Sequence, residues 1–557
     1  MISEEPVTMR RIFACWAGCT LLAITVLQAG SPAPAIANLR MNAPQAAMPR
    51  GRLGRPAEAI AADPTGTLLV AAWETMQGTC GQPFGAACTP PPAPGITAFG
   101  TSADGGRTWT DAGAPFLPGE VMTSGHPWLD TGGVDNRTFF LVSRARSTAA
   151  TAPDYTPGGS GQVGLVFYRG RFKDGVLTWS DQHPFSPQRA QDLLRSPSLF
   201  AAKDGSGKVY VTLSNLRGVC NRPGTSSGQI EMLRSADEGK TWEGPVIVGP
   251  DDTLDTVNPK DPRCGSDGTY QVQSTGGLGP HGEIYVAWQF GPRVINPFFP
   301  VKTNHTLSVR FARSLDGGAT FSKPQDLVKI NAMREDPPVG YSKYVINDGP
   351  RLAVGAVGDH GRIYVTYAAA AREVETPYAE QSVVSTQAYL IYSDDRGATW
   401  STPRPLAPPE PPTGIKRFWP SVAVRNDGAV DVVYLESQEK PVNGAPGGID
   451  CTEPLTDGGP RKGGASSLVD VYWVQSTDGG ASFGAPARVT SETSNWCKVA
   501  FDKEGTQFGN FGDFIGITTA GDRAFAVWPD GRNGVPDAYF AELPRSPGTA
   551  APASGHR

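Results

Sequence analysis

The sequence predicts an all-β protein, a seven-bladed β-propeller of four-stranded antiparallel blades, with a six-bladed ring as the alternative. The pattern Ser-x-Asp-x-Gly-x-x-Trp/Phe begins at Ser102, Ser235, Ser314, Ser393 and Ser476. The last three intervals between these copies are 79, 79 and 83 residues, a spacing typical of repeat architectures. A composition with 67 Gly, 51 Pro and 39% hydrophobic residues favours many short half-buried strands over long helices.

Each copy of this pattern, which we call an Asp-box, has the chemistry of a turn between two strands. A short Asp side chain accepts hydrogen bonds from turn amides, and Gly permits a positive φ. The aromatic residue then begins the next strand and packs between sheets. The first interval is 133 residues, which predicts a decayed copy, and the segment from Phe172 to Trp179 fits it with Asp174. We interpret the Asp residues of the boxes as structural.

Predicted strands surround each box in the same order. In the first repeat, strands at 57–62, 68–73 and 96–100 precede the box and a strand at 108–110 follows it. Three further strands, at 514–518, 524–528 and 538–542, come after the last box and lack a fourth partner. A strand from 38–53 would complete their sheet. Because this closure removes the exposed edges of the ring, it favours seven blades.

The N-terminal sequence of the chain predicts export. Residues 1–37 read as a secretory signal peptide, with Arg10 and Arg11 before an apolar run at 12–27 and the cleavage pattern Ala35-Ile36-Ala37. An N-terminal membrane anchor is the alternative, and nothing later is long and apolar enough to span a bilayer. Residues 38–545 are expected to form a single propeller domain, and 546–557 a disordered tail. The protein is therefore expected to be secreted or extracytoplasmic.

Charge and cysteine content narrow the classes of partner and cofactor. A net charge of −5 without a Lys/Arg run argues against nucleic acid or an anionic membrane, and we expect a monomer. No cysteine and histidine spacing suits zinc, and no cofactor is expected. The acidic stretch from Asp251 to Asp267 leaves calcium as an alternative to a solvated connector. The six cysteines after the signal peptide predict three disulfides: Cys80–Cys88, Cys220–Cys264 and Cys451–Cys497.

Strand parity places the short turns on one rim of the propeller and the long Gly/Pro-rich loops on the other, where ligand sites usually lie. Polar residues at the starts of the inner strands should converge there on the mouth of the central channel. Guanidinium groups among them suit a planar anionic ligand, because they pair with carboxylates bidentately. The candidate ligand-binding residues at the mouth are Arg55, Arg195, Arg351, Arg417, Trp419 and Asp513.

The five boxes make the chain resemble the bacterial sialidases and the wider sialidase-like Asp-box (bacterial neuraminidase repeat) family, over nearly its whole mature length. The resemblance implies a sugar carboxylate held by three arginines, a Tyr nucleophile activated by Glu, and an Asp acid/base. Arg55, in Gly54-Arg55-Pro56-Ala57, lies one position closer to the strand than the first arginine of the family. Arg351 is a candidate for the second arginine, and Arg195 or Arg417 for the third.

The resemblance also proposes catalytic residues. Glu436, in Tyr434-Leu435-Glu436, matches the family Glu with a shift of one position. Trp419 occupies the place of the Tyr nucleophile, and because an indole cannot perform that attack, Tyr341 is the replacement. His126 and Asp130 are the acid/base candidates.

Three functions remain open from the sequence. The chain is an exo-α-sialidase-type glycoside hydrolase, a non-catalytic cell-surface propeller that binds a glycan or a protein, or a polysaccharide lyase that uses His126 or His305. In the first reading the expected ligand is an anionic glycan.

Overall fold

The structure is a computed structural model, and it describes residues 36–44, 57–74, 97–115, 121–123, 125–147, 162–188, 192–217, 227–250, 269–292, 306–331, 338, 341, 348–371, 385–412, 414–440, 466–499, 511–512 and 514–545. All of them belong to one compact unit, 36–557. Several predicted features lie outside the described residues: Arg55, Asp513, His305, the signal peptide up to residue 35, the tail, the acidic stretch and every predicted disulfide partner except Cys497. A membrane-crossing helix is absent from the described ranges.

The first half of the chain forms four sheets of antiparallel strands, which bears out the all-β prediction. Strand β1 (Leu39–Arg40) precedes the first sheet, β2 (Ala57–Ala62), β3 (Leu69–Glu74), β4 (Thr97–Ser102) and β5 (Thr110–Gly113). The second sheet has five strands, β6 (Val121–Thr123), β7 (Trp128–Gly132), β8 (Thr138–Ser147), β9 (Gln162–Lys173) and β10 (Val176–Phe185). The third contains β11 (Leu193–Ala201), β12 (Val209–Arg217), β13 (Ser227–Ser235) and β14 (Glu243–Gly249). The fourth contains β15 (Thr269–Leu278), β16 (Ile284–Pro292), β17 (Thr306–Ser314) and β18 (Gln325–Asn331).

The second half forms two sheets. A nine-stranded sheet contains β19 (Arg351–Gly355), β20 (Arg362–Ala370), β21 (Thr386–Ser393), β22 (Arg404–Pro405), β23 (Ile415–Val424), β24 (Val430–Lys440), β25 (Ser466–Ser476), β26 (Ala487–Arg488) and β27 (Ser494–Asn495). A 3₁₀ turn at Trp496–Lys498 follows it. The last sheet contains β28 (Gly516–Ala520), β29 (Arg523–Asp530), β30 (Asp537–Leu543) and the N-terminal β1.

The number of separate blades differs from both predictions. Five sheets of four or five strands stand as separate blades, whereas the strands from β19 to β27 share one sheet, so neither seven nor six separate blades is observed. A single parallel pair, Thr386 opposite Lys416, joins β21 to β23. The outer strand β22 is only two residues long and pairs with β21 at Tyr389 and Leu390, and the next amide, that of Leu406, donates to the Ala388 carbonyl. The Thr386 end of β21 is therefore left open to pair with β23, because an uncovered strand edge presents unpaired backbone groups.

The predicted closure of the ring by an N-terminal strand is present. Leu39 lies opposite Phe540, and Arg40 lies opposite Tyr539 in antiparallel register. Just after β1, the side chain of Asn42 is 3% exposed; its Nδ2 donates to Asp537 at 2.9 Å, and its Oδ1 accepts from the amide of Ala538 at 2.7 Å. This side chain fastens the beginning of the domain to its end.

The Asp-boxes are hydrogen-bonded turns. In the second box, Asp237 Oδ1 accepts from the Ser235 hydroxyl at 2.8 Å and from the Thr241 amide at 2.9 Å. Oδ2 accepts from the Thr241 hydroxyl at 2.6 Å, and the Gly239 amide donates to Ser235 Oγ at 2.8 Å. The same set of bonds recurs at Asp104, Asp316, Asp395 and Asp478. These carboxylates hold their own turns, in agreement with the structural interpretation.

The boxes also join neighbouring sheets. Trp242 packs edge-on against Phe167 of the preceding sheet at 4.9 Å between ring centroids, and Trp400 packs in the same way against Phe311 at 5.1 Å. Gly239, at φ 82°, lies so close to the Phe167 ring that any Cβ would overlap it. The core therefore lies between successive sheets, and the box glycine is required for both the turn and the close approach.

Candidate functional site

The inner strands bend near their first residues, and the bends lie around one opening. Four residues there have a left-handed backbone: His126 (φ 51°), Ser196 (φ 46°), Gln273 (φ 58°) and Trp419 (φ 51°). His126 lies just before β7, and the register of β11, β15 and β23 shifts at the other three. A bulge of this kind turns a side chain away from the direction that strand alternation gives it.

Arg351 marks the centre of this opening. Its guanidinium carbon lies 3.9 Å from the ring centroid of Phe514 in the last sheet and 4.5 Å from that of Trp128 in the second. The carboxylate of Glu58, in the first sheet, interacts electrostatically with the Arg351 guanidinium and favours its charged form. Side chains from sheets this far apart in the ring meet only near the propeller axis, which places Arg351 in the central channel. We call the set Glu58, His126, Trp128, Asp348, Arg351, Trp419 and Phe514 the channel mouth.

The electrostatics of the channel mouth are dominated by burial. Arg351 is 7% exposed, and burial lowers its pKa to about 9, against the opposing effect of Glu58 and Asp348. Burial raises the pKa of Asp348 to about 7, although the Trp419 amide and Arg351 act in the other direction. Near neutral pH this site therefore contains a charged guanidinium beside a carboxyl group that can either hold or release a proton.

Asp348 has one engaged and one unengaged oxygen. Its Oδ1 accepts from the Trp419 amide at 3.3 Å, while its buried Oδ2 has no hydrogen-bond partner among the described residues. Sequence reasoning missed this residue. The available signal was Asp348-Gly349-Pro350-Arg351, in which a Pro precedes the inner strand as it does at His126-Pro127 and Trp419-Pro420.

His126 lies at the channel mouth, but its neighbour Asp130 does not. The His126 ring packs edge-on against Phe514 at 6.3 Å, and its amide donates to Glu74 at 2.9 Å. Asp130 accepts from the amides of Thr131 and Ala201, each at 2.8 Å, and from Lys203 Nζ at 2.6 Å. Those contacts join the second sheet to the third. They lie two residues farther along β7 than Trp128, the residue of that strand that contacts Arg351.

Tyr341 and Trp419 pack together at the side of the channel mouth. Their ring centroids are 6.0 Å apart, and both side chains are buried. The Tyr341 hydroxyl donates to the Gly512 carbonyl at 2.6 Å. This bond engages the hydroxyl proton, which a base would have to accept from a tyrosine nucleophile.

Two of the remaining candidates, Arg417 and Glu436, pair with each other. Arg417 Nε donates to Glu436 at 2.8 Å, and its Nη1 donates to the Gln387 side chain at 3.2 Å, so this pair joins β23 and β24 to β21. Arg195 is exposed on β11. Of the predicted ligand-binding and catalytic residues, the structure thus brings together His126, Arg351 and Trp419, with Tyr341 packed behind Trp419.

The described residues do not form a metal site, and a short repeat model matches the chain. Within the described ranges, no three His, Cys, Asp or Glu side chains are arranged to hold a metal ion. The BNR/Asp-box repeat model matches residues 391–402, the fourth Asp-box. No curated protein matches the chain.

Several solved structures are similar to the chain at low identity. The GH93 α-L-arabinofuranosidase of Fusarium graminearum, in complex with arabinobiose, is 13% identical over 70% of this chain and 92% of that one, with a TM-score of 0.41. Hadza microbial sialidase Hz136 is 14% identical over 81% and 74%, and Trypanosoma rangeli sialidase 11% identical over 92% and 60%, both with a TM-score of 0.38. The matched repeat and four further boxes of the same geometry show that the chain carries BNR/Asp-box repeats on the blades of a β-propeller.

Proposed function

We propose that this protein is an exported glycan-acting propeller that binds an anionic group of its glycan at Arg351. The observation that carries the proposal is the state of the Arg351 guanidinium. It is held between Trp128 and Phe514, and among the described residues it donates no hydrogen bond. A buried guanidinium normally has acceptors, and a ligand carboxylate would supply two in one plane.

A sugar acid is the ligand class that suits this environment. The Trp128 and Phe514 rings offer apolar faces to a sugar ring, and Arg351 offers a cation to its carboxylate. Two carboxyl groups, Glu58 and Asp348, stand close to the same cation. Protonation of Asp348 removes one negative charge from the site, so the proposed binding should strengthen as the pH falls through about 7.

The test is calorimetric titration of the mature chain with the methyl α-glycoside of sialic acid and with the methyl ester of the same compound. We expect the acid to bind and the ester to bind at least about tenfold more weakly. Arg351→Met should abolish the difference. Arg310→Met is the matched control, because Arg310 also stacks on an aromatic ring, Phe290, but pairs with Asp326 on the outer part of its sheet. Equal binding of the acid and the ester by the wild type, or undiminished binding of the acid by Arg351→Met, would refute the proposal.

Hydrolysis is a second candidate function, supported by one observation, the environment of Asp348. A carboxyl group with a pKa of about 7 and an unengaged oxygen suits a general acid near neutral pH. Tyr341 and Glu436 do not meet as a nucleophile and its base, since the first donates to Gly512 and the second accepts from Arg417. If the chain is a glycosidase, we therefore assign the proton donation to Asp348 and not to Asp130.

The hydrolysis proposal has its own readout. Fluorogenic aryl sialosides and aryl arabinofuranosides should be turned over by the wild type, and Asp348→Asn should lose turnover while retaining binding of the sugar acid. Binding without turnover of either substrate would leave a glycan-binding propeller. Turnover that survives in Asp348→Asn would remove Asp348 from the reaction.

Export is part of the same proposal. The signal-peptide pattern predicts cleavage after Ala37, so the N-terminal sequence of protein recovered from the medium or the cell envelope should begin at Asn38. An uncleaved N-terminus on a membrane-bound product would favour the anchor instead.

A further inference from the structure

A cavity of about 280 Å³ lies between the second and third sheets, and no channel-mouth residue lines it. Its walls come from the end of β10 and from all four strands of the next sheet. The lining residues that carry the following argument are His183, Phe185, Asn215, Glu231, Trp242 and Glu243.

One side of the cavity is an aromatic wall. Phe185 and Trp242 meet edge to face with ring centroids 5.0 Å apart, and His183 lies 4.9 Å from Phe185 and 6.4 Å from Trp242. Trp242 is fixed in place, since its Nε1 donates to the Gly239 carbonyl at 2.9 Å and its ring packs on Phe167. The side chains of His183 and Trp242 are only partly buried, so part of each is accessible from outside.

The other side is polar and buried. Asn215 and Glu231 are 4% and 6% exposed, and Asn215 Nδ2 donates to Glu231 at 3.0 Å. Gln229 donates to the same Glu231 oxygen at 2.8 Å. Asn215 Oδ1 is buried and has no hydrogen-bond partner in the part of the chain that the structure describes. A buried acceptor without a donor is uncommon in folded proteins and calls for a ligand or a water.

The charges at the cavity exclude an anionic ligand. Glu231 lies on the polar side, and Glu243 lines the mouth. The nearby cation Arg234 is engaged by Glu243 at 2.9 Å. Burial lowers the pKa of His183, so its imidazole is neutral at pH 7. Among the described residues that line the cavity, no positive charge is therefore left to meet a carboxylate or a phosphate.

A cationic ligand is also a poor match. The Glu231 oxygen already accepts two amide donors, and Glu243 is paired with Arg234. The unengaged acceptor is the neutral Asn215 Oδ1, which suits a hydroxyl donor. A sugar ring combines the two features that the cavity requires, an apolar face for the aromatic wall and hydroxyls for the polar side.

We propose that this cavity is a second carbohydrate site, separate from the channel mouth, that binds one neutral sugar ring stacked on Trp242 and hydrogen-bonded to Asn215 and Glu231. The volume lies at the small end of ligand sites, which span about 300–1,000 Å³, so a single ring fits better than an oligosaccharide. The site does not depend on the function proposed for Arg351.

The test is saturation-transfer NMR on the mature chain with methyl galactoside, methyl glucoside and methyl mannoside, beside choline and the methyl glycoside of sialic acid. We expect at least one neutral glycoside to receive saturation and to persist in Arg351→Met, which separates this site from the channel mouth. Trp242→Ala should weaken its binding at least about tenfold. Trp400→Ala is the matched control, because Trp400 follows an Asp-box, packs on Phe311 and donates to Gly397 in the same way but does not line the cavity.

A second variant keeps the proposal testable if Trp242→Ala fails to fold. Glu231→Gln preserves the shape of the cavity and removes its buried charge and one acceptor, and it should also weaken the neutral glycoside. The proposal is overturned if no neutral glycoside receives saturation, if choline alone does, or if binding is unchanged in a folded Trp242→Ala or Glu231→Gln variant.

Discussion

Replacing Asp348 with Asn tests whether the channel mouth contains a carboxyl group that titrates near neutral pH. The side chain is 5% exposed, and its Oδ1 accepts from the Trp419 amide at 3.3 Å. Asn has nearly the same volume and retains that acceptor, whereas it cannot ionise. The substitution therefore removes a buried charge and leaves the packing in place.

The magnitude follows from the pKa. Burial raises the pKa of Asp348 from 3.8 to about 7, a difference of about three units, and each unit corresponds to about 1.4 kcal/mol. In the folded protein the carboxyl holds its proton between pH 3.8 and 7, whereas in the unfolded chain it is ionised. The folded state therefore binds more protons in this window, and the stability falls as the pH rises through it. Above pH 7 the unfavourable contribution is on the order of 4 kcal/mol.

Asp348→Asn should therefore stabilise the protein, and increasingly so at higher pH. Between pH 5 and pH 8 the difference in the free energy of unfolding between the variant and the wild type should grow by about 2–3 kcal/mol. The measurement is urea unfolding followed by tryptophan fluorescence at both pH values and constant ionic strength. Other titrating groups cancel because they are common to both proteins.

A difference that stays constant or shrinks between pH 5 and pH 8 would refute this reasoning and would remove the basis for Asp348 as a proton donor. Asp130→Asn is the contrasting variant. The wild-type Asp130 carboxylate accepts from two amides and from Lys203. We therefore expect Asp130→Asn to lower the free energy of unfolding by about 1–3 kcal/mol at both pH values.

Three further predictions concern the scaffold. The Thr241 hydroxyl lowers the pKa of Asp237 to about 2, so Asp237→Asn should lower the melting temperature by about 2–4 °C at pH 5. This difference between variant and wild type should become smaller as the pH falls from about 4 to 2, because the wild-type carboxylate is then protonated. An unchanged difference at pH 2 would contradict the box geometry. Tyr341→Phe should lower the free energy of unfolding by about 1 kcal/mol through loss of the bond to Gly512, with glycan binding and turnover unchanged; loss of turnover would restore Tyr341 as a nucleophile. Asn42→Ala should cost about 2 kcal/mol in urea unfolding, and no loss would show that ring closure does not depend on this side chain.

The propeller architecture could be predicted because its determinants are local in sequence. Each Asp-box makes its hydrogen bonds within seven residues, from Ser235 to Thr241 in the second box, so the pattern of residue types is enough to identify the turn. The hydroxyl at the Thr241 position was left unassigned in the pattern, although all five boxes have Thr or Ser there. The closing strand could be predicted because the last three strands needed a partner.

The count of separate blades could not be predicted because it depends on one contact between distant segments. Thr386 pairs with Lys416 at the end of β21 that the two-residue strand β22 does not cover. No periodicity in the sequence encodes the length of an outer strand. Similarly, Arg351 was identified from its position on an inner strand, whereas Asp348 was missed because its pKa depends on burial that segments far apart in the chain create together.

The backbone at the channel mouth gives an independent reason to look for function there. Left-handed backbone costs a residue other than Gly about 1–2 kcal/mol. The Gly of each Asp-box pattern avoids this cost, although Glu238 and Arg396, which precede that Gly in two of the boxes, do not. Near the starts of four inner strands the chain instead uses His126, Ser196, Gln273 and Trp419. Strain of this kind persists where the side chain is needed more than the easier backbone. The His126 ring packs against Phe514, and the backbone amide of Trp419 donates to Asp348, so two of these residues contact the groups around Arg351. This arrangement is expected if the bends exist to assemble that site.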